Sequence, residues 1–241
     1  MNRKSLIVIL ILSSVVFTPR NLSAQRILGA VSAGINLTQV DGDEKYGFRH
    51  VGFNGGPSVI IPFGKNKKWS VTMELLFSQY GSYQRSEYAP SDSIQDSTQL
   101  GFYDGYKLHL NYVQVPVMVH FTDKKVIAGG VGFLYGQLVG VKEWEDYNDE
   151  RGFVRTETNL QGPYSMADFQ VLADVRIKLW QRLWVDVRYA YSILPIRTRV
   201  YVNPFTQETW TRQQYNNVIT LRLTYIFNQP VEKKAKKKKE G

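Results

Sequence analysis

Phe169 to Tyr191 reads FQVLADVRIKLWQRLWVDVRYAY, two alternating runs joined at Gln181 and its neighbours. In the first run Phe169, Val171, Ala173, Val175, Ile177 and Leu179 form an unbroken apolar row, while Gln170, Asp174, Arg176 and Lys178 take the other face. In the second, Leu183, Val185, Val187, Tyr189 and Tyr191 stand against Asp186 and Arg188. Successive side chains of a β-strand point to opposite sides, so period two gives each run an oily face and an ionic one. On the lipid face of a membrane barrel an Arg or Lys at mid-depth costs about 2–4 kcal/mol, so the ionic row points into the lumen. A soluble lipocalin-like binder would reverse this, with an apolar interior and a polar exterior.

Charge also fixes the register. Pairing residues whose numbers sum to 362 sets Asp174 opposite Arg188, Arg176 opposite Asp186 and Lys178 opposite Trp184. A slip of two residues would oppose Asp174 to Asp186 or Arg176 to Arg188. Opposite charges across a ladder help by about 0.2–1 kcal/mol each and like charges hurt, so the crossed pairing is the expected one. Glu74 and Arg222 share the inward parity and join the expected lumen charge network.

Outward from this hairpin the pattern recurs, giving eight strands near 27–39, 50–63, 68–83, 106–121, 126–142, 166–180, 182–196 and 215–227. The last, Asn217 to Phe227 (NVITLRLTYIF), turns Leu221, Leu223, Tyr225 and Phe227 outward and Thr220, Arg222 and Thr224 inward, and it ends on an aromatic. Connections after strands two, four and six are short (Gly64 to Lys67, Thr122 to Lys125, Gln181), whereas those after strands three, five and seven are long and polar. Short periplasmic turns opposite longer outer loops mark an all-β, antiparallel, up-and-down transmembrane barrel. Trp69, Phe121, Trp180, Trp184 and Phe227 fall near the turn side and Tyr80, Tyr83, Tyr135, Tyr189 and Tyr191 near the other, two aromatic belts in outline. Tyr80 and Trp184 have inward parity. Pro116, which lacks a ladder donor, predicts a bulge in strand four. Gly129, Gly130, Gly132, Gly136 and Gly140 in strand five predict wall bending or room for bulky lumen side chains.

Ahead of the first strand, Arg3 and Lys4 precede an apolar run from Leu6 to Phe17 and the small-residue ending Leu22-Ser23-Ala24. That arrangement predicts a secretion signal over residues 1–24, cleaved before Gln25. Its run is shorter than the roughly 18 apolar residues of a spanning helix, and no later run reaches that length. The barrel then occupies 25–229, with a Lys-rich periplasmic tail over 230–241. The chain has no cysteine, which excludes a lipid-anchored leader, disulfides and thiol chemistry. The formal net charge of +9 includes three leader cations and a tail of six Lys against two Glu, leaving +2 for the barrel. A terminal run is not a basic footprint on a folded face, so no nucleic-acid partner is expected.

The segments AGINLTQVDGD (Ala33 to Asp43), MELLFSQYGS (Met73 to Ser82) and LNYVQVPVMVHF (Leu110 to Phe121) resemble the PorT-like outer-membrane barrels of Bacteroidetes. In that family a strand ending in a LLFSQ-like string, here Leu75 to Gln79, precedes one shaped LxYxxxPxxxxF, here Leu110, Tyr112, Pro116 and Phe121. The resemblance implies an outer-membrane barrel. Because the founding member is associated with type IX secretion, it also implies a role beside surface-protein export.

Candidate chemistry is sparse. His50, His109 and His120 show no metal-ligand spacing, and no motif marks a nucleophile, so neither cofactor nor metal is expected. His120 has inward parity near the turn side and reads as a lumen side chain. Asp41, Asp43 and Glu44, then Glu87, Asp92, Asp96 and Asp104, then Glu143, Glu145, Asp146, Asp149 and Glu150 make three outer loops acidic; solvated loop tips are the favoured reading over a cation site. Lys233, Lys234, Lys236, Lys237, Lys238 and Lys239 are candidate contacts for an acidic periplasmic partner or anionic lipid, at about 1 kcal/mol per Lys at a charged surface. The expected function is a non-enzymatic barrel embedded in outer-membrane lipid, a scaffold or accessory subunit of protein export with other envelope subunits as partners. A narrow porin-like channel and a lipid-modifying enzyme are the alternatives.

Overall fold

Alternation along each run gives strands throughout, and the computed structural model describes residues 27–43, 45, 47–85, 105–149, 152–158, 163–202 and 207–229. The expected secretion signal over 1–24, the Lys-rich sequence with Lys233 to Lys239, and the acidic residues Glu44, Glu87, Asp92, Asp96, Asp104 and Glu150 lie outside the described residues. Eleven strands run β1 (Leu28–Asp41), β2 (His50–Phe63), β3 (Trp69–Glu74), β4 (Leu76–Gln84), β5 (Tyr106–Asp123), β6 (Ile127–Asp149), β7 (Gly152–Thr158), β8 (Ala167–Trp180), β9 (Leu183–Ser192), β10 (Arg197–Val202) and β11 (Thr209–Ile226). All pairings are antiparallel, and β1 pairs both β2 and β11, so the sheet closes into a ring.

The eleven strands make eight spans. β3 and β4 are one span interrupted at Leu75, and β7 and β10 are short partners that extend only the outer ends of β6 and β11. No helix is long and apolar enough to cross a membrane among the described residues, and a closed ring can span one because its backbone groups pair between neighbouring strands. Charge in the hairpin sets the register as expected: Asp174 pairs Arg188, Arg176 pairs Asp186 and Lys178 pairs Trp184.

Facing decides which medium each side meets. Val175, Val187 and Leu223 are 50, 51 and 48% exposed, while Arg176, Asp186 and Arg222 are 7, 0 and 2% exposed. Apolar side chains thus form the outer wall and ionic ones the filling. At the turn end Phe63 stacks on Trp69 and Phe121 packs tilted against it along the perimeter, with centroids 6.5 and 5.0 Å apart. At the other end Tyr135 packs on Phe169 and Tyr191 on Tyr215. Tyr80 and Trp184 are buried in the lumen, as their parity requires.

Three features differ from the sequence reading. Pro116 sits in regular register opposite Leu134, and the β5–β6 irregularity falls instead where Asn111 and Tyr112 pair Gly140 and Leu138. The cost of the missing donor appears on the other edge: the β3–β4 interruption at Leu75 faces Pro57 on β2 and adjoins Glu74, which faces Pro116 on β5, and neither proline can donate to a ladder. Registers are unchanged across that gap, with Met73 opposite Val117 and Leu76 opposite Gln114. Second, Glu143, Glu145, Asp146 and Asp149 belong to β6 rather than to a loop, because pairing with β7 prolongs the strand. Third, the seventh span ends at Ser192, and the chain re-enters the sheet as β10 on β11, which itself starts at Thr209.

Short turns close one end. Asp123 to Val126 is a two-residue hairpin turn with Lys124 and Lys125 at φ 45° and 58°, closed by Val126 N–H donating to Asp123 at 3.1 Å. That shape favours Asn-Gly, and a non-glycine residue in the left-handed region costs roughly 1–2 kcal/mol. Lys67, at φ 50° in the β2–β3 turn, is a third lysine held this way.

Candidate functional site: the ionic lumen and its two mouths

Six charged residues on four spans meet inside the ring. Glu74 arrives from β3, Asp174 and Arg176 from β8, Asp186 and Arg188 from β9, and Arg222 from β11, each placed inward by strand parity. Glu74 is the hub. Its two carboxylate oxygens accept from Arg222 at 2.8 and 2.9 Å, from Arg188 at 2.8 and 3.1 Å and from Arg176 at 3.2 Å. Asp174 accepts from Arg188 at 3.1 Å and Arg176 at 3.3 Å. Asp186 accepts from Arg222 Nε at 3.1 Å and Thr224 at 2.7 Å, with Arg176 Nε 3.6 Å from its other oxygen.

Three carboxylates and three guanidiniums balance, so the lumen holds a neutral ionic block. Charges taken out of water are stabilised by close partners and hydrogen bonds, and here Arg188 and Arg222 each fork onto Glu74, while Arg176 Nε, Arg188 Nε and Asp186 Oδ1 make no hydrogen bond among the described residues. All six residues singled out from the sequence are brought together. His120 joins them: its Nε2 lies 2.9 Å from Asp174 Oδ1 and its Nδ1 3.1 Å from Thr72 Oγ1. It is buried and held on both sides, a lumen side chain as its parity indicated.

The wall makes room for these groups with glycine. A Cβ on Gly34 would collide with the Leu221 carbonyl and the Arg222 Cβ, and one on Gly130 would lie within 3.0 Å of both His120 and Asp174. Gly130 therefore serves lumen packing. Gly130→Ala is expected to destabilise the barrel by about 1–3 kcal/mol, because His120 is buried and held by Thr72 and Asp174 and must shift to admit the methyl. Urea titration of the refolded protein measures it; a change below about 0.5 kcal/mol would show that the His120 pocket has slack.

Above the ionic block lies a second polar layer, built around Asp168, that parity alone did not single out. Asp168 accepts from Ser192 at 2.7 Å, from Asn216 at 2.8 Å and from Gln170, and Asn216 also donates to Tyr112 at 3.2 Å. Higher still, Glu143 accepts from Arg197 at 2.9 and 3.0 Å and from Tyr106 at 2.7 Å, and the Tyr164 ring lies 4.5 Å from the Arg197 guanidinium. Glu143 is thus a buried ion-pair member and not a solvated loop tip. Arg197 lies beyond the end of the seventh span, where the alternation breaks, so no inward assignment was available for it. Asp43, after β1, is buried; desolvation pushes its carboxyl up to about 6 against hydrogen bonds from Ser82 and the Lys45 backbone. Burial also raises the Tyr164 phenol. His50 and His109 meet at 2.9 Å at this outer rim, with Thr38 on the far side of His50. No group of His, Cys, Asp and Glu suited to a metal occurs among the described residues.

At the turn end the lumen opens into a cavity of about 600 Å³. Its floor includes His120 and Arg176, its walls include Ile60, Ala128, Trp184 and Ile226, and lysines from both turns reach its rim. Gln229, just past β11, ties that rim together by accepting from Trp184 Nε1 at 3.0 Å and Arg182 Nε at 3.2 Å.

No curated protein matches the chain. Among solved structures it is similar to neisserial surface protein A, at 12% identity and TM-score 0.46, covering 83% of this chain and 97% of that one. It is similar to Ail, the attachment invasion locus protein of Yersinia pestis, seen with the heparin analogue sucrose octasulfate (13% identity, TM-score 0.44, 84% and 99% covered). It is also similar to the outer membrane protease OmpT of Escherichia coli (9% identity, TM-score 0.41, 84% and 94% covered). Residues 23–197 match the family described as "Outer membrane protein beta-barrel domain". With a closed antiparallel ring that turns oil outward and charge inward, the chain is a member of that family and an integral protein of the outer membrane.

Proposed function

We propose that this barrel is a non-enzymatic scaffold or accessory subunit of outer-membrane protein export, with the PorT-like resemblance favouring the type IX route. The observation that carries the reading is the neutral ionic block around Glu74. An eight-stranded wall encloses side chains or at most one small ligand, and here three arginines and three carboxylates close the lumen above the turn-end cavity. A plugged cylinder acts through its surfaces. Two are available: the β6–β7 and β10–β11 hairpins that stand beyond the ring, and the turn end with Lys65, Lys67, Lys68, Lys124 and Lys125. With eight spans the first strand starts and the last strand stops at the turn end, which by the short-turn rule is the periplasmic one, and the Lys-rich sequence 230–241 is proposed to add to the same positive field there.

Deleting the gene in its host is expected to abolish or sharply reduce surface-protein export, restored by the intact gene; unchanged export would end the secretion reading. Refolded protein in planar bilayers is expected to give no stable conductance. Reproducible steps would favour the porin-like channel instead, and an altered envelope lipid profile in His120→Ala would favour a lipid-modifying enzyme.

A further inference from the structure

The turn-end cavity combines two chemistries that a mere gap between side chains would not need. Leu28, Ile60, Ala128, Trp184 and Ile226 line it with hydrocarbon and one indole, while Lys67, Lys68, Lys124, Lys125 and Lys178 ring it with cationic groups. Among the lining residues Asp123 is the single carboxylate. By formal charge the ring carries five lysines against one aspartate, with Arg176 in the floor bound by Glu74 and Asp174 and the Lys68 ammonium 5.9 Å from the Phe121 ring centroid. Three of those lysines, Lys67, Lys124 and Lys125, stand at φ values of 50°, 45° and 58°, where glycine or asparagine is the less strained residue. A cavity of about 600 Å³ is within the roughly 300–1,000 Å³ of small-molecule sites.

We propose that this cavity binds an anionic amphiphile: a single apolar body lying against Trp184, Ile60 and Ile226, with its carboxylate or phosphate held by the lysine ring. An extended peptide does not fit, because the closed ring leaves no free strand edge for it to join at the cavity wall. The chain's own tail does not fit either, since its six lysines repeat the sign of the ring. Fatty-acid-like carboxylates and alkyl phosphates share the required chemistry. The site stands independently of any export role.

Trp184 is a built-in reporter. In the full-length mature protein refolded in neutral detergent, ω-bromodecanoate and ω-bromodecyl phosphate are expected to quench it saturably, with the signal of Trp184→Phe subtracted as background. Comparing the two head groups identifies carboxylate or phosphate as the preferred anion. Bromodecanol, and inorganic phosphate as a competitor, are each expected to bind at least tenfold more weakly. Lys124→Glu with Lys125→Glu, both in an exposed turn, is expected to weaken binding at least tenfold, and the paired Arg substitutions to retain it. Ala128→Trp is expected to abolish binding by filling the space. Absence of saturable quenching by both anionic probes, quenching untouched by the charge reversal, or inorganic phosphate competing as tightly as the alkyl anions would each overturn the proposal.

Discussion

Glu74→Ala is expected to lower the stability of the folded barrel by about 3–5 kcal/mol, the largest loss of any single lumen substitution. The change removes five hydrogen bonds to three arginines and leaves three guanidiniums facing two carboxylates. Arg188 and Arg222 suffer most, because both terminal nitrogens of each donate to Glu74 and each then keeps a single carboxylate, Asp174 for Arg188 and Asp186 for Arg222. Glu74→Gln preserves shape but not charge, and is expected to fall between the wild type and Glu74→Ala. Replacing Glu74 and Arg222 together with methionine removes a matched pair and should recover much of the loss, since the remaining charges balance. Urea titrations of protein refolded into lipid vesicles measure all three. A Glu74→Ala loss below about 1 kcal/mol would mean that water enters and hydrates the arginines, and that the block is not sealed.

The second large effect is on the opposite face. Val187→Arg is expected to cost about 2–4 kcal/mol in a bilayer, because Val187 lies near the middle of β9, between Val175 and Leu221 on the neighbouring strands. The same change at Leu179, near the turn-end interface, is expected to cost about 0–1 kcal/mol. The two positions have similar exposure, 51 and 57%, so depth rather than exposure sets the difference. Equal costs at both sites would contradict the assignment of this surface to lipid.

The ionic lumen was legible because charge and parity act together in a short hairpin. Asp174, Arg176, Asp186 and Arg188 admit one pairing without like-charge contacts, and β8 and β9 adopt it. Glu74 and Arg222 were placed in the same network by parity alone, which carries no information about depth; the closeness of β3 to β8, β9 and β11 across the lumen comes from ring closure. The Glu143–Arg197 pair was hidden for a different reason. Both residues lie where strands run past the membrane, so the oily row that marks facing fades, and the hairpin with β7 that keeps Glu143 in a strand has no apolar signature. Pro116 shows the limit of local rules, since a missing donor can be absorbed by either neighbour, and here it falls on the side where Pro57 already weakens the ladder.

The pairing of β1 with β11 has a bearing on how the molecule is made. It joins the first strand to the last, matching Ala30 to Ile226 and Asp41 to Tyr215, so the final seam waits until the whole chain has been delivered. Until then two rows of amide and carbonyl groups would face hydrocarbon with nothing to bind, a condition lipid tolerates poorly. Insertion and zippering must therefore advance together, and a chain truncated before Thr209 would be left as an open ribbon unable to settle in the bilayer.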